Sequence, residues 1–302
     1  LQSVCRKVII ASDGAALDLL LREFPLLESH QLPSYGVSYR YESILKNILF
    51  SGLSILRAVL NENILAKKLA IQTGATIILS DNRLGFRSSV TKNYYLSHQI
   101  NLLHTNRFIA YIGSKTHQWF IRKFDLCLVP DYEGDRSLCP LLSHHNDIKK
   151  TFIGPLSRIH KMKIAVVWDI CVILSGPEPQ RTILETSLLT ELMHLSEYKI
   201  LFIRGVDGEK KYANLPANIT LKNMADSTEI AENLNKSSLL ITRPGYTTLM
   251  DIEDLDLKAI LIPTPGQSEQ EYLAEINCKN KKYRCLSQKD VKYIEKNIKS
   301  LI

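Results

Sequence analysis

Three times in its second half this 302-residue chain repeats one pattern: a short apolar run, a polar turn carrying glycine or proline, then apolar residues at helical spacing. Ile170–Leu174 ends in Ser175-Gly176-Pro177 and leads to Ile183, Leu184, Leu188 and Leu189. Ser238–Thr242 runs into Arg243-Pro244-Gly245-Tyr246-Thr247-Thr248 and a helix through Leu255. Ala259–Pro263 runs into the polar stretch Thr264–Tyr272. Further strands are expected at Lys199–Ile203 and Ile219–Leu221, and a helix at Ser227–Asn235 capped by Asp226 or Ser227. Alternating strands and helices specify an α/β fold on a parallel sheet.

In such a sheet the carboxyl ends of the strands share one edge, where ligands bind. Loops 175–181, 243–248 and 264–271 would meet there. A helix N-terminus supplies unpaired N–H groups and partial positive charge, a seat for phosphate. Gly176, Arg181, Thr247 and Thr248 are the phosphate candidates, and Gln267, Gln270 and Glu271 suit neighbouring sugar hydroxyls. No G-x-G-x-x-G and no Walker A lysine is present, so the pattern fits a nucleotide sugar better than NAD.

The first half has the same alternation. Lys7–Ala11 reads as a strand and Ala15–Glu23 as a helix, and the chain is expected to lack a strand and loop ahead of them. Leu32–Tyr39 is rich in turn formers. Tyr41–Thr73 reads as a long helix with Ile44, Ile48, Leu49, Leu53, Leu56, Val59, Leu60 and Ile64 on a broad face beside Arg57, Lys67 and Lys68, either core or a surface for a membrane. Gly74–Leu79 is a strand that delivers Ser80-Asp81-Asn82-Arg83 at its carboxyl end, and Asn93–Ser97 delivers His98-Gln99-Ile100-Asn101. A strand at Phe124–Val129, a loop over Asp131–His145 and a strand running into a turn at Phe152–Arg158 follow. The composition then shifts, which sets domains of 1–158 and 159–302; the closing basic helix, Gln288–Ile302, is a candidate to pack back on the first domain.

Composition narrows the setting. The net charge of +7 admits nucleic acid, an anionic membrane surface or a phosphate-bearing substrate as partner. No nucleic-acid-binding signature appears, so no nucleic acid is expected. No apolar run reaches the roughly 18 residues of a membrane span. The six cysteines lack CxxC spacing, and Cys127 and Cys171 fall in apolar strands. A reducing, cytoplasmic location is expected, extending to the inner face of the membrane, with no metal site and no disulfide framework.

With these residues assembled, the chain resembles the two-domain glycosyltransferases of the GT-B fold, and within them the MurG-like group with a glycosyltransferase family 28 C-terminal domain. The resemblance rests on Ser80–Arg87, His98–Asn101, Gly154–Arg158, Ser175–Arg181, Thr242–Asp251 and Gln267–Tyr272. It implies two Rossmann-like parallel-sheet domains facing a cleft. It implies donor contacts from Arg158, Ser175, Gly176, Gly245, Tyr246, Thr247 and Thr248, with Arg181 and Arg243 as further cations for the diphosphate. Asp251 would take the ribose hydroxyls in place of the family's usual glutamate, and Gln270-Glu271 would take the donor sugar in place of paired glutamines. His98 and Asn101, with Asn82 and Arg83, fall on the acceptor side. Family members carry a glycine-rich loop after their first strand, and the resemblance implies the expectation that this sequence starts after it.

The implied reaction is inverting transfer from a nucleotide diphosphate sugar, a UDP-sugar such as UDP-GlcNAc, to an acceptor hydroxyl, with no cofactor and no metal. Asp81 and His98 are the candidate general bases. The acceptor is a sugar or a lipid-linked molecule, with peripheral membrane contact; the oligomeric state is open. The competing readings are a sugar-nucleotide epimerase of GT-B-like fold and a non-catalytic sugar-nucleotide-binding subunit.

Overall fold

A computed structural model describes residues 2–34, 44–206, 212 and 215–302, with Ala15 and residues 44–55 described as backbone only. The turn-rich stretch from Tyr35, the start of the long helix at Tyr41, and the side chains of Ile44, Ile48, Leu49 and Leu53 lie outside the described residues. Contacts divide the chain into two compact units. One comprises Leu1–Asn101, Ile112–Val129 and His144–Thr151; the other comprises Leu102–Tyr111, Pro130–Ser143 and Phe152–Ile302.

The first unit opens with β1 (Ile9–Ser12), α1 (Gly14–Glu23) and β2 (Glu28–Gln31). Then come α2 (Ile44–Thr73), β3 (Ile77–Asp81), β4 (Lys92–Leu96), α3 (Arg107–Ile121, of which the part from Ile112 belongs here), β5 (Leu126–Val129) and β6 (Lys150–Phe152). β1 and β2 form a parallel pair, and β3, β4, β5 and β6 form a separate four-stranded sheet in chain order. On α2, Val59, Ala66 and Ala70 are buried, while Leu56, Leu60, Ile64 and Ile71 are exposed in company with Arg57, Lys67 and Lys68. No helix among the described residues is long and apolar enough to cross a membrane.

The second unit contains α4 (Pro140–Ser143), β7 (Trp168–Ile173), α5 (Gln180–Leu192), β8 (Ile200–Ile203), β9 (Ile219–Lys222), α6 (Ser227–Asn235) and β10 (Ser237–Thr242). It continues through α7 (Tyr246–Leu255), β11 (Lys258–Leu261), α8 (Ser268–Asn277), β12 (Tyr283–Cys285) and α9 (Ile294–Lys299). Its six strands are all parallel, in the order β12-β11-β10-β7-β8-β9. Side chains alternate between faces along a strand, and here both faces are core. Ile170, Val172, Leu239, Ile241, Ile260, Ile200 and Phe202 join α5 and α9 in one cluster. Cys171, Leu240, Ala259, Leu261, Leu201 and Ile203 join α7 and α8 in the other. That division explains why these strands are continuously apolar.

The loop expected over Asp131–His145 is built on Asp131. Its buried carboxylate accepts hydrogen bonds from Leu138 N (2.9 Å) and from the hydroxyls of Ser137 (2.5 Å) and Ser143 (3.0 Å), and so winds a 3-10 turn and α4. α6 begins with a reciprocal capping box between Asp226 and Glu229. The closing segment is a 3-10 turn, Gln288–Tyr293, followed by α9. Val291, Ile294, Ile298 and Leu301 bury it in the second unit's own core against α5.

Candidate active site

The carboxyl ends of β11, β10 and β7 are consecutive along one edge of the second sheet. The loops that follow them, 174–179, 243–245 and 262–267, therefore open side by side. Each feeds a helix whose start lacks a side-chain cap: α5 after Pro179, α7 after Gly245, α8 after Gln267.

The three starts are not equivalent. At α5, Arg181 N–H donates to Pro177 O (3.1 Å) and Thr182 N–H to Glu178 Oε2 (3.2 Å), so local acceptors use this end. At α7 the first helical bond runs from Leu249 N–H to Gly245 O (3.0 Å), beyond Tyr246, Thr247 and Thr248. At α8 the corresponding bond runs from Glu271 N–H to Gln267 O (3.0 Å). α7 and α8 thus present first-turn N–H donors and the positive ends of their dipoles at the same edge.

Gly176 and Thr264 bring the first and third loops together. Gly176 has φ +107°, a conformation that side-chain-bearing residues rarely adopt, and a Cβ placed on it would lie 3.9 Å from Thr264 Oγ1. Thr264 is 2% exposed, and its hydroxyl has no hydrogen-bond partner. A buried hydroxyl with no partner among the described residues is costly. Thr264 N–H is held by Gln270 Oε1 (2.8 Å), and Gly266 N–H by Glu271 Oε1 (2.9 Å). Gln270 and Glu271 therefore shape the loop through one side-chain oxygen each. Ser175 and Thr247 are exposed; Gly245, Thr248 and Gln267 are partly buried.

Asp251 lies on α7, and Ser157 Oγ donates to its Oδ1 (2.7 Å). Burial raises the Asp251 carboxyl above its ordinary value, opposed by the Ser157 bond and by the nearby charge of exposed Arg158.

Three donor-side candidates are engaged by other residues of the protein. Arg243 is 1% exposed, and its terminal nitrogens donate to the carbonyls of Ile262 (3.0 Å), Pro263 (2.9 Å) and Gln180 (3.1 Å) and to Gln288 Oε1 (2.6 Å). It ties loops together instead of presenting charge to a phosphate, and desolvation pulls its pKa down to about 10. Arg181 is enclosed by Glu178, Glu185 and Thr182, and Glu185 also receives Arg204 and Tyr212, so its charge is spent in a buried network. Tyr246 is buried, and its hydroxyl donates to Pro130 O (2.7 Å).

The acceptor-side candidates divide similarly. Arg83 pairs with Asp13 and Glu62 and donates to Pro33 O (2.6 Å). Asn101 accepts from Gln118 (2.8 Å) and donates to His144 O (3.0 Å), a cross-link within the unit. Asp81 ends β3, and Asn82 follows it with φ +53°. Asp81 is solvent-accessible, yet loss of surrounding water raises its carboxyl, opposed by His98. Among the described residues no group of three or more His, Cys, Asp or Glu is placed to hold a metal.

Two residues at the site escaped the sequence reading. Thr264 stood inside a recognised loop, but nothing in its identity announced a hydroxyl without a partner. Ser157 stood in Gly154–Arg158, but its pairing with Asp251 joins residues 94 apart in sequence.

The chain has one unit with a six-stranded parallel sheet and another with smaller parallel sheets, and its fold is that of the GT-B glycosyltransferases. Residues 172–302 match the family model of the glycosyltransferase family 28 C-terminal domain. Among solved structures, the spinosyn forosaminyltransferase SpnP superposes with a TM-score of 0.63 at 11% identity, covering 100% of this chain and 85% of that one. The UGT2 of Phytolacca americana, complexed with UDP-2fluoro-glucose and pterostilbene, gives 0.62 at 12% identity, covering 98% and 90%. The MurG of Acinetobacter baumannii gives 0.54 at 11% identity, covering 97% and 91%. No curated protein matches the sequence.

Proposed function

We propose that this chain transfers a sugar from a nucleoside diphosphate sugar to an acceptor hydroxyl, with inversion at the anomeric carbon. The observation that carries the reading is the buried, unpartnered Thr264 hydroxyl beside Gly176, at the edge where α7 and α8 begin. In this reading the diphosphate lies over the start of α7, held by N–H groups of 246–248 and by the Thr248 hydroxyl. Its developing negative charge is met by donors already in place, which is the kind of stabilisation that lowers a barrier. Asp251, positioned by Ser157, takes the ribose hydroxyls. Gln270 and Glu271 keep a second polar atom each for the sugar.

The leaving group is stabilised by protein donors, so the proposal assigns no metal or cofactor to the step. UDP is the first nucleotide to test, because one structural neighbour is complexed with a UDP-sugar analogue. In the first unit, Asp81 with His98 carries the proton-accepting role: a raised carboxyl is a better base near neutral pH than an ordinary one. The exposed apolar residues of α2 among Arg57, Lys67 and Lys68 support peripheral contact with an anionic membrane and a lipid-linked acceptor at its cytoplasmic face. Calorimetric titration with UDP-GlcNAc and other nucleotide sugars tests the reading. Saturable binding that Thr264→Val weakens is expected; binding unaffected by that change would remove the assigned site.

A further inference from the structure

Two of the six cysteines meet at one corner of the second unit. Cys278 follows α8 directly and caps it, its N–H donating to Ala274 O (2.9 Å). Cys285 ends β12, in register with Leu261 of β11. A short turn joins them: Asn280 N–H donates to Asn277 O (3.0 Å) and Tyr283 N–H to Asn280 O (3.0 Å). Side chains alternate between faces along a strand. Tyr283 packs into the core shared by α7 and α8, and Leu286 into the opposite one. Cys285 therefore lies on the face that α8 covers. Cys278 packs against that same core. The two thiols reach each other and form a hydrogen bond.

The pair differs in chemistry from the other cysteines. Cys127, Cys139 and Cys171 are at most 1% exposed, and burial raises each thiol, which keeps it protonated and inert. Cys285 is exposed and Cys278 partly buried. Their hydrogen bond divides the roles. Cys278 donates, which raises its own value and holds Cys285 below the ordinary one, against burial and the charge of Glu275. Cys285 is thus the sulfur that gives up its proton first, and it is the one that meets solvent. Cys5, also exposed, lies in the first unit and serves as a control within the same chain.

We propose that Cys285 and Cys278 form a dithiol–disulfide exchange site whose reactant is a small-molecule disulfide of the glutathione class. The Cys285 thiolate attacks one sulfur of that disulfide. Its S–S bond breaks, and one small thiolate leaves with the electron pair. The Cys278 thiol then gives its proton to solvent and attacks Cys285 Sγ in the mixed disulfide, and the second small thiolate leaves. The two protons released by the cysteines end on the two departing thiolates. Two protein thiols are oxidised to one disulfide, and one small disulfide is reduced to two thiols. The new bond closes residues 278–285 into a loop and fastens the end of α8 to β12. Excess small thiol reverses it. The helix so fastened carries Gln270 and Glu271, which hold the loop after β11 through Thr264 N–H and Gly266 N–H.

A redox titration tests this without any nucleotide, so it stands or falls separately from the donor assignment. The 302-residue chain is equilibrated with graded ratios of oxidised to reduced glutathione, quenched in acid and mapped by peptide mass spectrometry. An internal disulfide between Cys278 and Cys285 is expected, and it should disappear when reduced glutathione is restored. Its equilibrium constant should be at least about tenfold larger in the folded chain than in urea, because folding brings the sulfurs together. By linkage that factor is about 1.4 kcal/mol of added stability in the oxidised form. Cys278→Ser should stop the reaction with glutathione on Cys285, and Cys285→Ser should abolish the internal bond. Glutathione that stays on Cys285 of the parent chain overturns the proposal. So does a constant no larger in the folded chain than in urea, a disulfide formed between two chains, or a Cys285 that reacts no faster than Cys5. The parent chain decides all of these, whether or not a variant folds.

Discussion

Thr264 and Gly176 meet across two loops of one sheet edge: the threonine's buried hydroxyl lies 3.9 Å from where a Cβ on the glycine would be. Thr264→Val keeps shape and volume and removes the hydroxyl. Nucleotide-sugar affinity should fall roughly tenfold, the scale of a lost hydrogen bond to a charged group. The melting temperature should hold or rise, since an unsatisfied polar atom is removed. Calorimetry and a thermal melt together read both outcomes.

Arg243 predicts the opposite balance. Arg243→Ala strands three carbonyls and the Gln288 amide, and should destabilise the second unit by roughly 3 kcal/mol or more. Arg243→Lys should recover little, because an ammonium cannot reproduce the planar fork. Denaturant unfolding measures this. Full stability with lost affinity would return Arg243 to the phosphate.

Glu185 carries a pH dependence of stability. Burial alone would raise its carboxyl, but Tyr212, Arg204 and Arg181 together hold it below the ordinary value. A carboxyl lowered in the folded state contributes stability above its unfolded pKa and loses it as pH falls through the folded one. Glu185→Gln should therefore cost roughly 3–5 kcal/mol at neutral pH, by leaving two buried arginines short of a counter-charge. The difference from the parent should shrink in acid, below the ordinary carboxylate range. A constant difference across pH, measured by urea unfolding, would contradict the network.

Asp251 and Asp81 carry pH dependences of function. Both carboxyls are raised, so both protonate at a higher pH than a free aspartate. Donor affinity should weaken as pH falls through the Asp251 value, and Ser157→Ala should move that midpoint up by removing a bond to the charged form. Turnover should fall in acid through Asp81, and Asp81→Asn should abolish most turnover while leaving donor affinity within about twofold. Equal losses in both quantities would take Asp81 out of the proton-accepting role.

Metal dependence has a simple readout. With the leaving diphosphate held by N–H groups and hydroxyls, turnover should persist after dialysis against a strong chelator. Restoration only by added magnesium or manganese would require a different account of the leaving group.

Much of the second unit was legible because β7, β10 and β11 are buried on both faces and so read as unbroken apolar runs. β2 was not: Glu28-Ser29-His30-Gln31 has no apolar residue, and only its register with β1 makes it a strand. The site was legible as loops but not as roles. Arg181 and Arg243 looked like anion receptors, and Arg83 like an acceptor contact, because a sequence shows a charge and hides its partners. Each is enclosed by acceptors brought from other elements. Thr264 was hidden for the converse reason, since its significance is a bond that is not made.

Tyr246 is the first residue of α7, yet its ring points inward to Pro130. The start of α7 is thus anchored through its first side chain, while Ser175 and Thr247 are exposed. Substitution at the exposed positions should leave this frame undisturbed, whereas substitution at the hidden anchor changes the frame itself.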